Sequence, residues 1–284
     1  MYFHYLIIYL SISLIIDKWY LFKKEYYKIL YSALVDPIKF LVYPEFSKKI
    51  NPLKSFVYGN KDKEVLNNVY NFPLGSIIVS GSMLFENYLT MHNNSRIGLR
   101  KFGISQMGLN SSNKVVLFLP TRNVEWKLPG CDEKSFRHNL AMVCDVVKSS
   151  GFNLIIKLHP RADKKLYDSL EGSEELNVTT SNDLVELIEI SDLIIAEPTT
   201  AIFPAVLMKK KIILLRLIKN LKYDFDFVKE GVAIECQSEL ELENLFKKYE
   251  KLNDIIDYSN YDLFIKNFCN FNNLKTSNVI AKHI

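Results

Sequence analysis

Downstream of Asn113, runs of consecutive apolar residues alternate with stretches that have helical periodicity. The apolar runs are not interrupted by polar positions, which is typical of strands covered on both faces of a sheet. A regular succession of such strands and helices predicts an α/β fold with a doubly wound, parallel, Rossmann-like sheet. We predict six strands, at residues 114–119, 153–158, 176–179, 192–196, 211–215 and 232–235.

Capping residues and glycines mark where the intervening helices begin and end. Asp132 precedes a helical stretch, and Gly151 stands just past its end, which is the pattern of an N-cap and a C-terminal glycine. Thr199 or Thr200 is predicted to cap a helix that reaches about Lys209. Further helices are predicted at residues 164–170 and 183–190, and after the last strand as far as residue 249.

The part of the chain before Asn113 is less regular. Two segments have the character of strands, with a helix between them, but two strands are too few for a complete doubly wound domain. The N-terminal α/β portion is therefore predicted to be shortened. We divide the chain into four segments. Residues 1–50 form an apolar, mainly helical lead-in, and residues 51–110 form the remnant of an N-terminal domain. Residues 111–250 form a Rossmann-like domain, and residues 251–284 form a C-terminal helical segment.

The first sixteen residues carry no charge, and a basic, aromatic stretch follows them. The apolar run is shorter than the roughly 20 residues that a membrane-spanning helix needs. It also lacks the charge pattern and cleavage site of a signal peptide. We predict a buried helix or strand. The alternative is that residues 1–28 contact a membrane surface, with lysines at the lipid headgroups: Lys18, Lys23, Lys24 and Lys28.

Composition narrows the class of protein. Apolar residues make up 48% of the chain, enough for a hydrophobic core, and the net charge of +4 comes from scattered lysines. This is not the basic face of a nucleic-acid-binding protein, so we predict no nucleic-acid partner. The four cysteines are far apart in the sequence and form no CxxC pair. They indicate buried thiols in the cytoplasm and argue against a disulfide framework or a zinc site.

Three of the predicted strands end in residues suited to phosphate. Ligands of open parallel sheets bind beyond the carboxyl ends of the strands, where a histidine can donate to a phosphate oxygen and an arginine can pair with it through its planar guanidinium. Backbone N–H groups at the start of a helix attract anions. The hydroxyls of paired threonines there would add hydrogen-bond donors. The alternative is that the first threonine only caps the helix. The candidates are Thr121, Arg122, His159, Arg161, Glu197, Thr199 and Thr200.

Two further features near these strand ends carry weaker signals. Trp126 is predicted to pack against the protein, the alternative being a stacking contact with a base or sugar. Asp224 and Asp226 form a DxD pair, in which two carboxylates could ligate one cation, but their position favours an ordinary loop. We predict no metal site.

Taken in order, these segments resemble a known family pattern over roughly residues 54–250. LIIKLHPR, followed by SDLIIAEPTTAIFPAVLMKKKIILL, resembles the C-terminal domain of bacterial GT-B transferases. It is most similar to the sialyl- and polysialyltransferases and the CDP-glycerol glycerophosphotransferases of surface polysaccharide synthesis. VVLFLPTR resembles the start of the same domain. KSFVYGN and SIIVSGS resemble the end of the family's N-terminal domain.

The resemblance implies a metal-independent, GT-B-like glycosyltransferase of capsule or surface-polysaccharide synthesis. Residues 111–250 would bind a CMP- or CDP-linked sugar or polyol as substrate, without a further cofactor. Residues 51–110 would be the remnant of the acceptor-side domain. His159 would act in catalysis by stabilising the departing nucleotide phosphate together with the paired threonines, and Glu197 would contact the ribose or shape the crevice. The acceptor would be a glycan or a lipid-linked molecule, and the protein would be cytoplasmic, with a peripheral position at the inner face of the membrane as the alternative.

The sequence also departs from the family pattern. An acidic residue usually follows the paired Ser/Thr of the glycerophosphotransferases, and Pro204 stands there, which favours sialyltransferase-like donors. We find no convincing general base, the N-terminal candidates being Glu45, Glu86 and His92. Two alternatives therefore stay open, a UDP-sugar 2-epimerase-like enzyme and a non-catalytic domain that binds a nucleotide or a partner.

Overall fold

The computed structural model describes residues 54–83, 85–86, 88, 103–170, 176–180, 183–218, 226–269 and 275–283. The chain divides into two compact units, with the boundary between Val79 and Ser80. The predicted lead-in at residues 1–50, including residues 1–28 with their alternative of a membrane contact, lies outside the described residues. In the described part of the chain, no helix has the length and apolar character needed to span a membrane.

The first unit contains a strand–helix–strand motif. Strand β1 (Ser55–Val57) pairs in parallel with β2 (Ile77–Val79), and helix α1 (Asn60–Asn68) connects them. The Asp62 carboxylate accepts hydrogen bonds from the backbone N–H groups of Tyr58 and Gly59 at 3.1 and 3.2 Å. These bonds fix the point at which α1 begins, because they satisfy donors at the start of the helix.

The second unit is built on a six-stranded sheet in which every pair of neighbours is parallel. The strands are β3 (Val115–Leu119), β4 (Asn153–Lys157), β5 (Leu176–Thr179), β6 (Leu193–Ala196), β7 (Lys211–Leu215) and β8 (Ile234–Cys236). From β3 the chain moves outward to β4 and β5, then returns to the other side of β3 and continues through β6, β7 and β8. The spatial order is therefore β5-β4-β3-β6-β7-β8, and the direction of winding reverses between β3 and β6.

Apolar helices cover both faces of this sheet. All five residues of β3 are buried, because successive side chains point to opposite faces and each face packs against helices. The helices of this unit include α2 (Glu133–Ser149), α3 (Leu184–Ile190), α4 (Phe203–Leu207), α5 (Glu239–Lys247), α6 (Leu252–Ile255), α7 (Tyr258–Phe268) and α8 (Thr276–Ala281). One face of the sheet packs on α2 and α5, the other on α3, α4 and α7. The predicted doubly wound parallel sheet is thus confirmed.

Helix α2 begins and ends where the sequence signals predict. The Asp132 side chain accepts a hydrogen bond from the Ser135 N–H at 2.9 Å, and Gly151 follows the helix with a φ of 75°. This left-handed conformation costs little for a residue without Cβ. The predicted capping signals of this helix are confirmed.

The helix predicted from Thr199 or Thr200 to Lys209 is instead interrupted. A 3₁₀ turn at Thr200–Ile202 comes first, and only Phe203–Leu207 is α-helical. The physical reason is Pro204, which has no N–H to donate to the Thr200 carbonyl as a regular α-helix would require. That carbonyl accepts from the Phe203 N–H instead, in the 3₁₀ pattern.

Candidate functional site

The loops that follow β3 and β6 are joined by hydrogen bonds where the winding reverses. The Thr121 N–H donates to Glu197 Oε2 at 2.7 Å, and the Thr121 hydroxyl donates to the same oxygen. In the adjacent backbone, the Glu197 N–H donates to the Leu119 carbonyl at 3.1 Å. Because diverging connections leave a crevice at such a reversal point, Thr121 and Glu197 lie where a ligand of this fold would bind.

Glu197 is a buried carboxyl group, with 9% of its surface exposed. Burial raises its pKa above the ordinary value of 4.5, and the Glu125 charge acts in the same direction. The two hydrogen bonds from Thr121 favour the ionised form and act against this rise. Glu197 lies at the strand end, as its sequence position predicts, but its pairing with Thr121 has no local signal because Thr121 is 76 positions away in the chain.

His159 stands in the loop that follows β4. Its Nδ1 atom accepts a hydrogen bond from the Arg161 N–H at 3.0 Å, so the proton of the neutral ring is on Nε2, which can donate. The pKa of His159 is below its ordinary value because of partial desolvation and the positive charges of Arg122 and Arg161. The loop after β4 is thus within electrostatic range of the loop after β3.

Arg122 lies between a carboxylate and an indole ring. Its Nε atom is 3.7 Å from Glu125 Oε1, and its Cζ atom is 5.9 Å from the centre of the Trp126 ring. The Nε atom is buried and has no hydrogen-bond partner within the described residues.

Trp126 is 57% exposed, so the prediction that it packs against the protein is wrong. The turn closed by the Trp126 N–H and the Arg122 carbonyl at 2.9 Å leaves the indole at the surface.

Glu125 is a site residue that sequence reasoning missed. In addition to its contact with Arg122, its Oε1 atom accepts a hydrogen bond from the Asp163 N–H at 3.2 Å. The carboxylate therefore connects the loop after β3 with the loop after β4. The sequence contains no signal for this contact, because it depends on the pairing of β3 with β4.

The paired threonines open the short turn after β6. Thr199 is the N-cap, and its hydroxyl accepts from the Ala201 N–H at 3.3 Å. The capping interpretation of Thr199 is therefore confirmed, whereas the Thr200 residue is exposed. The aligned dipoles behind them come from only a 3₁₀ turn and the five residues of α4. Attraction of an anion here would depend mainly on local N–H and hydroxyl donors and less on a helix dipole.

The remaining sequence candidates lie elsewhere or are engaged in structural contacts. Asp226 accepts hydrogen bonds from Arg216 and from the N–H groups of Val228 and Lys229, which fits the loop interpretation. Glu86 accepts from the N–H and hydroxyl of Thr276. The other candidates, Glu45, His92 and Asp224, lie outside the described residues. Among the residues that are described, no group of three or more His, Cys, Asp or Glu side chains could hold a metal ion.

Solved structures with a similar fold include bacterial and archaeal enzymes. The wall teichoic acid polymerase TagF superposes with a TM-score of 0.57 at 15% identity, over 87% of this chain and 60% of that chain. UDP-GlcNAc 2-epimerase from Neisseria meningitidis, bound to UDP-GlcNAc, superposes with a TM-score of 0.56 at 17% identity, over 81% and 60% of the respective chains. UDP-GlcNAc 2-epimerase from Methanocaldococcus jannaschii superposes with a TM-score of 0.55 at 15% identity, over 81% of this chain and 60% of that chain. This chain thus spans about 60% of the length of these proteins, and the likeness confirms the GT-B-like α/β fold.

The family comparison is more specific. No curated protein matches the sequence, but a family model described as CDP-glycerol:poly(glycerophosphate) glycerophosphotransferase matches residues 54–284. This match confirms the resemblance to the glycerophosphotransferases and gives no support to the preference for sialyltransferase-like donors that was based on Pro204. Because the match covers most of the chain, the protein belongs to the CDP-glycerol:poly(glycerophosphate) glycerophosphotransferase family.

Proposed function

We propose that this protein is a transferase of cell-surface polymer synthesis that binds a cytidine-activated polyol or sugar at the carboxyl edge of its six-stranded sheet. One observation carries the proposal: the loops after β3, β4 and β6 lie at the same edge, on both sides of the point where the winding reverses. These loops hold the six candidate phosphate-binding residues and Glu197, which is proposed to contact the ribose or shape the crevice. The family match supports this reaction class, and among the similar structures is a TagF variant soaked with CDPG.

In this proposal the side chains of the edge provide donors for the phosphates. His159 donates from Nε2, while Arg122 and Arg161 offer guanidinium groups and Thr200 offers a hydroxyl. In the transfer of glycerol phosphate, an acceptor hydroxyl attacks the phosphorus next to glycerol, a new P–O bond forms, and the bond to the departing CMP breaks, while the proton of the hydroxyl passes to solvent. Donors aimed at the departing phosphate stabilise the negative charge that develops on it.

The tautomer of His159 suits this role. A protonated imidazole carries hydrogen on both nitrogens, so Nδ1 could no longer accept from the Arg161 N–H. The neutral form keeps that bond and still donates from Nε2. The lowered pKa of His159 favours the neutral form near neutral pH.

Calorimetric titration with CDP, CMP and UDP tests the proposal. We expect cytidine nucleotides to bind more tightly than UDP, and His159→Ala to weaken binding by about 1.5–3 kcal/mol, the contribution of a hydrogen bond to a charged group. The matched control is His138→Ala, which removes an exposed histidine of α2 and should leave the affinity unchanged. An unchanged affinity in folded His159→Ala would remove His159 from the site.

The same titration separates the proposal from the epimerase-like alternative. UDP-GlcNAc 2-epimerases share this fold, and a preference for UDP over CDP would favour that alternative. Nucleotide binding without transfer to any polymer acceptor would favour the non-catalytic interpretation.

The acceptor and the location are also part of the proposal. We propose a glycan or lipid-linked acceptor, used at the cytoplasmic face of the membrane, with residues 1–28 in contact with the lipid. Co-sedimentation of the full chain with anionic vesicles, compared with a variant in which Lys23 and Lys24 are replaced by Glu, measures this contact. Equal recovery of both proteins in the supernatant would contradict it.

A further inference from the structure

A carboxylate that is largely shielded from solvent lies beside the proposed phosphate-binding site. The side chain of Glu125 is 12% exposed and its Oε1 atom lies 3.7 Å from Arg122 Nε. A negative charge at this place repels an anionic ligand, since charges close together in a partly desolvated site interact strongly. By electrostatics alone, Glu125 would weaken the site proposed above.

The contacts of Glu125 supply the explanation. The carboxylate contacts the guanidinium of Arg122, which follows β3, and accepts from the Asp163 N–H, which follows β4. It therefore links two loops that each carry a candidate phosphate-binding residue, Arg122 in one and His159 in the other. The Arg122 Nε atom is buried without a hydrogen bond among the described residues, so its ion pair with Glu125 and the neighbouring Trp126 ring are the contacts available to orient the guanidinium.

We propose that Glu125 is a positioning residue of the donor site, which holds the Arg122 guanidinium at the crevice and fixes the loop after β3 against the loop after β4. The inference rests on the proposed function, because Arg122 and His159 are placed there as phosphate-binding groups. Glu125 itself need not touch the donor. Glu125 strengthens binding of the donor by fixing the geometry of the site. This gain in binding free energy must exceed the repulsion between the Glu125 charge and the phosphates.

The charged surroundings of His159 give a second, ligand-free consequence. His159 is faced by Lys157 at the end of β4, Arg161 in its own loop, and Arg122 and Glu125 from the loop after β3. Of these four charges, only that of Glu125 raises the pKa of the imidazole. Neutralising Glu125 therefore leaves three positive neighbours, and the pKa of His159 must fall further.

The test compares Glu125→Gln with the wild-type protein. Repulsion alone predicts tighter binding of CDP to this variant, because a negative charge is lost. Positioning predicts weaker binding, roughly tenfold or about 1.4 kcal/mol. We expect the weaker binding, with partial recovery in Glu125→Asp, which restores the charge on a shorter side chain. CDP binding to Glu125→Gln that equals or exceeds the wild-type affinity would overturn the proposal.

A matched control and a measurement without ligand complete the experiment. Glu133→Gln removes the carboxylate of a surface pair with Arg137 and should leave CDP affinity unchanged. An NMR titration of His159, assigned with His159→Asn, should show a lower pKa in Glu125→Gln than in the wild type, which a loss of stability alone would not produce. An unchanged pKa would contradict the link between the two loops. If the wild-type protein binds no nucleotide, the proposed function fails, whereas the NMR comparison still decides whether Glu125 acts on the loop of His159.

Discussion

Single side chains at the carboxyl edge of the sheet combine two demands that oppose each other. The proposed phosphate-binding groups need positive charge and open donors, whereas Glu197 and Glu125 bring negative charge into the same loops. Glu197 is tolerated because Thr121 provides two hydrogen bonds to one of its oxygens. A buried polar group that is hydrogen-bonded costs far less free energy than an unpaired one.

The titration of Glu197 gives a prediction at this scale. Its pKa is raised in the folded protein above 4.5, so the fold binds this proton more tightly than the unfolded chain. The contribution of the group to stability is therefore fully present below pH 4.5 and is lost as the pH rises through the folded-state pKa. The glutamine side chain of Glu197→Gln cannot ionise. We therefore expect the free energy of unfolding of this variant to increase relative to that of the wild type as the pH rises from 4.5 through the folded-state pKa. Denaturant unfolding at a series of pH values measures this difference. A difference independent of pH would contradict the prediction.

At the scale of elements, helix α2 connects the candidate site to the core. It begins directly after the loop that contains Arg122, Glu125 and Trp126, and its inner face packs on the sheet through buried residues. The Asp132 carboxylate accepts from both the N–H and the hydroxyl of Ser135. These bonds hold the pKa of Asp132 below its ordinary value.

Removal of this cap should destabilise the protein. We expect Asp132→Ala to lower the free energy of unfolding, the usual effect of losing an N-cap side chain. Asp145→Ala, an exposed position within the same helix, is the control and should be neutral or slightly stabilising, because alanine is the best helix former. Equal destabilisation by both substitutions, measured by urea unfolding, would show that the cap is not the cause.

The sequence predicted elements whose signals are local. Continuous apolar runs located the strands, and Asp132 and Gly151 located the ends of α2 to within a residue or two. The 3₁₀ turn before α4 was not predicted, although Pro204 is visible in the sequence. The interruption of the helix depends on which backbone carbonyl lies opposite the N–H that proline lacks. Sequence reasoning also missed Glu125, and it could not foresee that Thr121 donates to Glu197. These contacts join loops from different strands and exist only once the strand order is known.

At the scale of the second unit, stability depends on the central strands. Leu117 is fully buried in β3, between β4 and β6. We expect Leu117→Ala to cost about 2–5 kcal/mol, because the substitution removes buried methyl groups and leaves a cavity. Leu240→Ala changes the same residue type at a site that is 66% exposed on α5, and its effect should stay within about 0.5 kcal/mol. Thermal or denaturant unfolding distinguishes the two, and similar losses would contradict the assignment of the core.

The bonds between the loops also have a consequence for how fast and at what entropic cost a ligand binds. Thr121 with Glu197, and Glu125 with Asp163, connect the loops after β3, β6 and β4 in the protein without ligand. The backbone freedom of these loops is therefore lost when the chain folds, and a molecule entering the crevice gives up mainly its own translational and rotational freedom. Association should accordingly follow a single concentration-dependent phase, with no slow rearrangement of the loops after the first encounter.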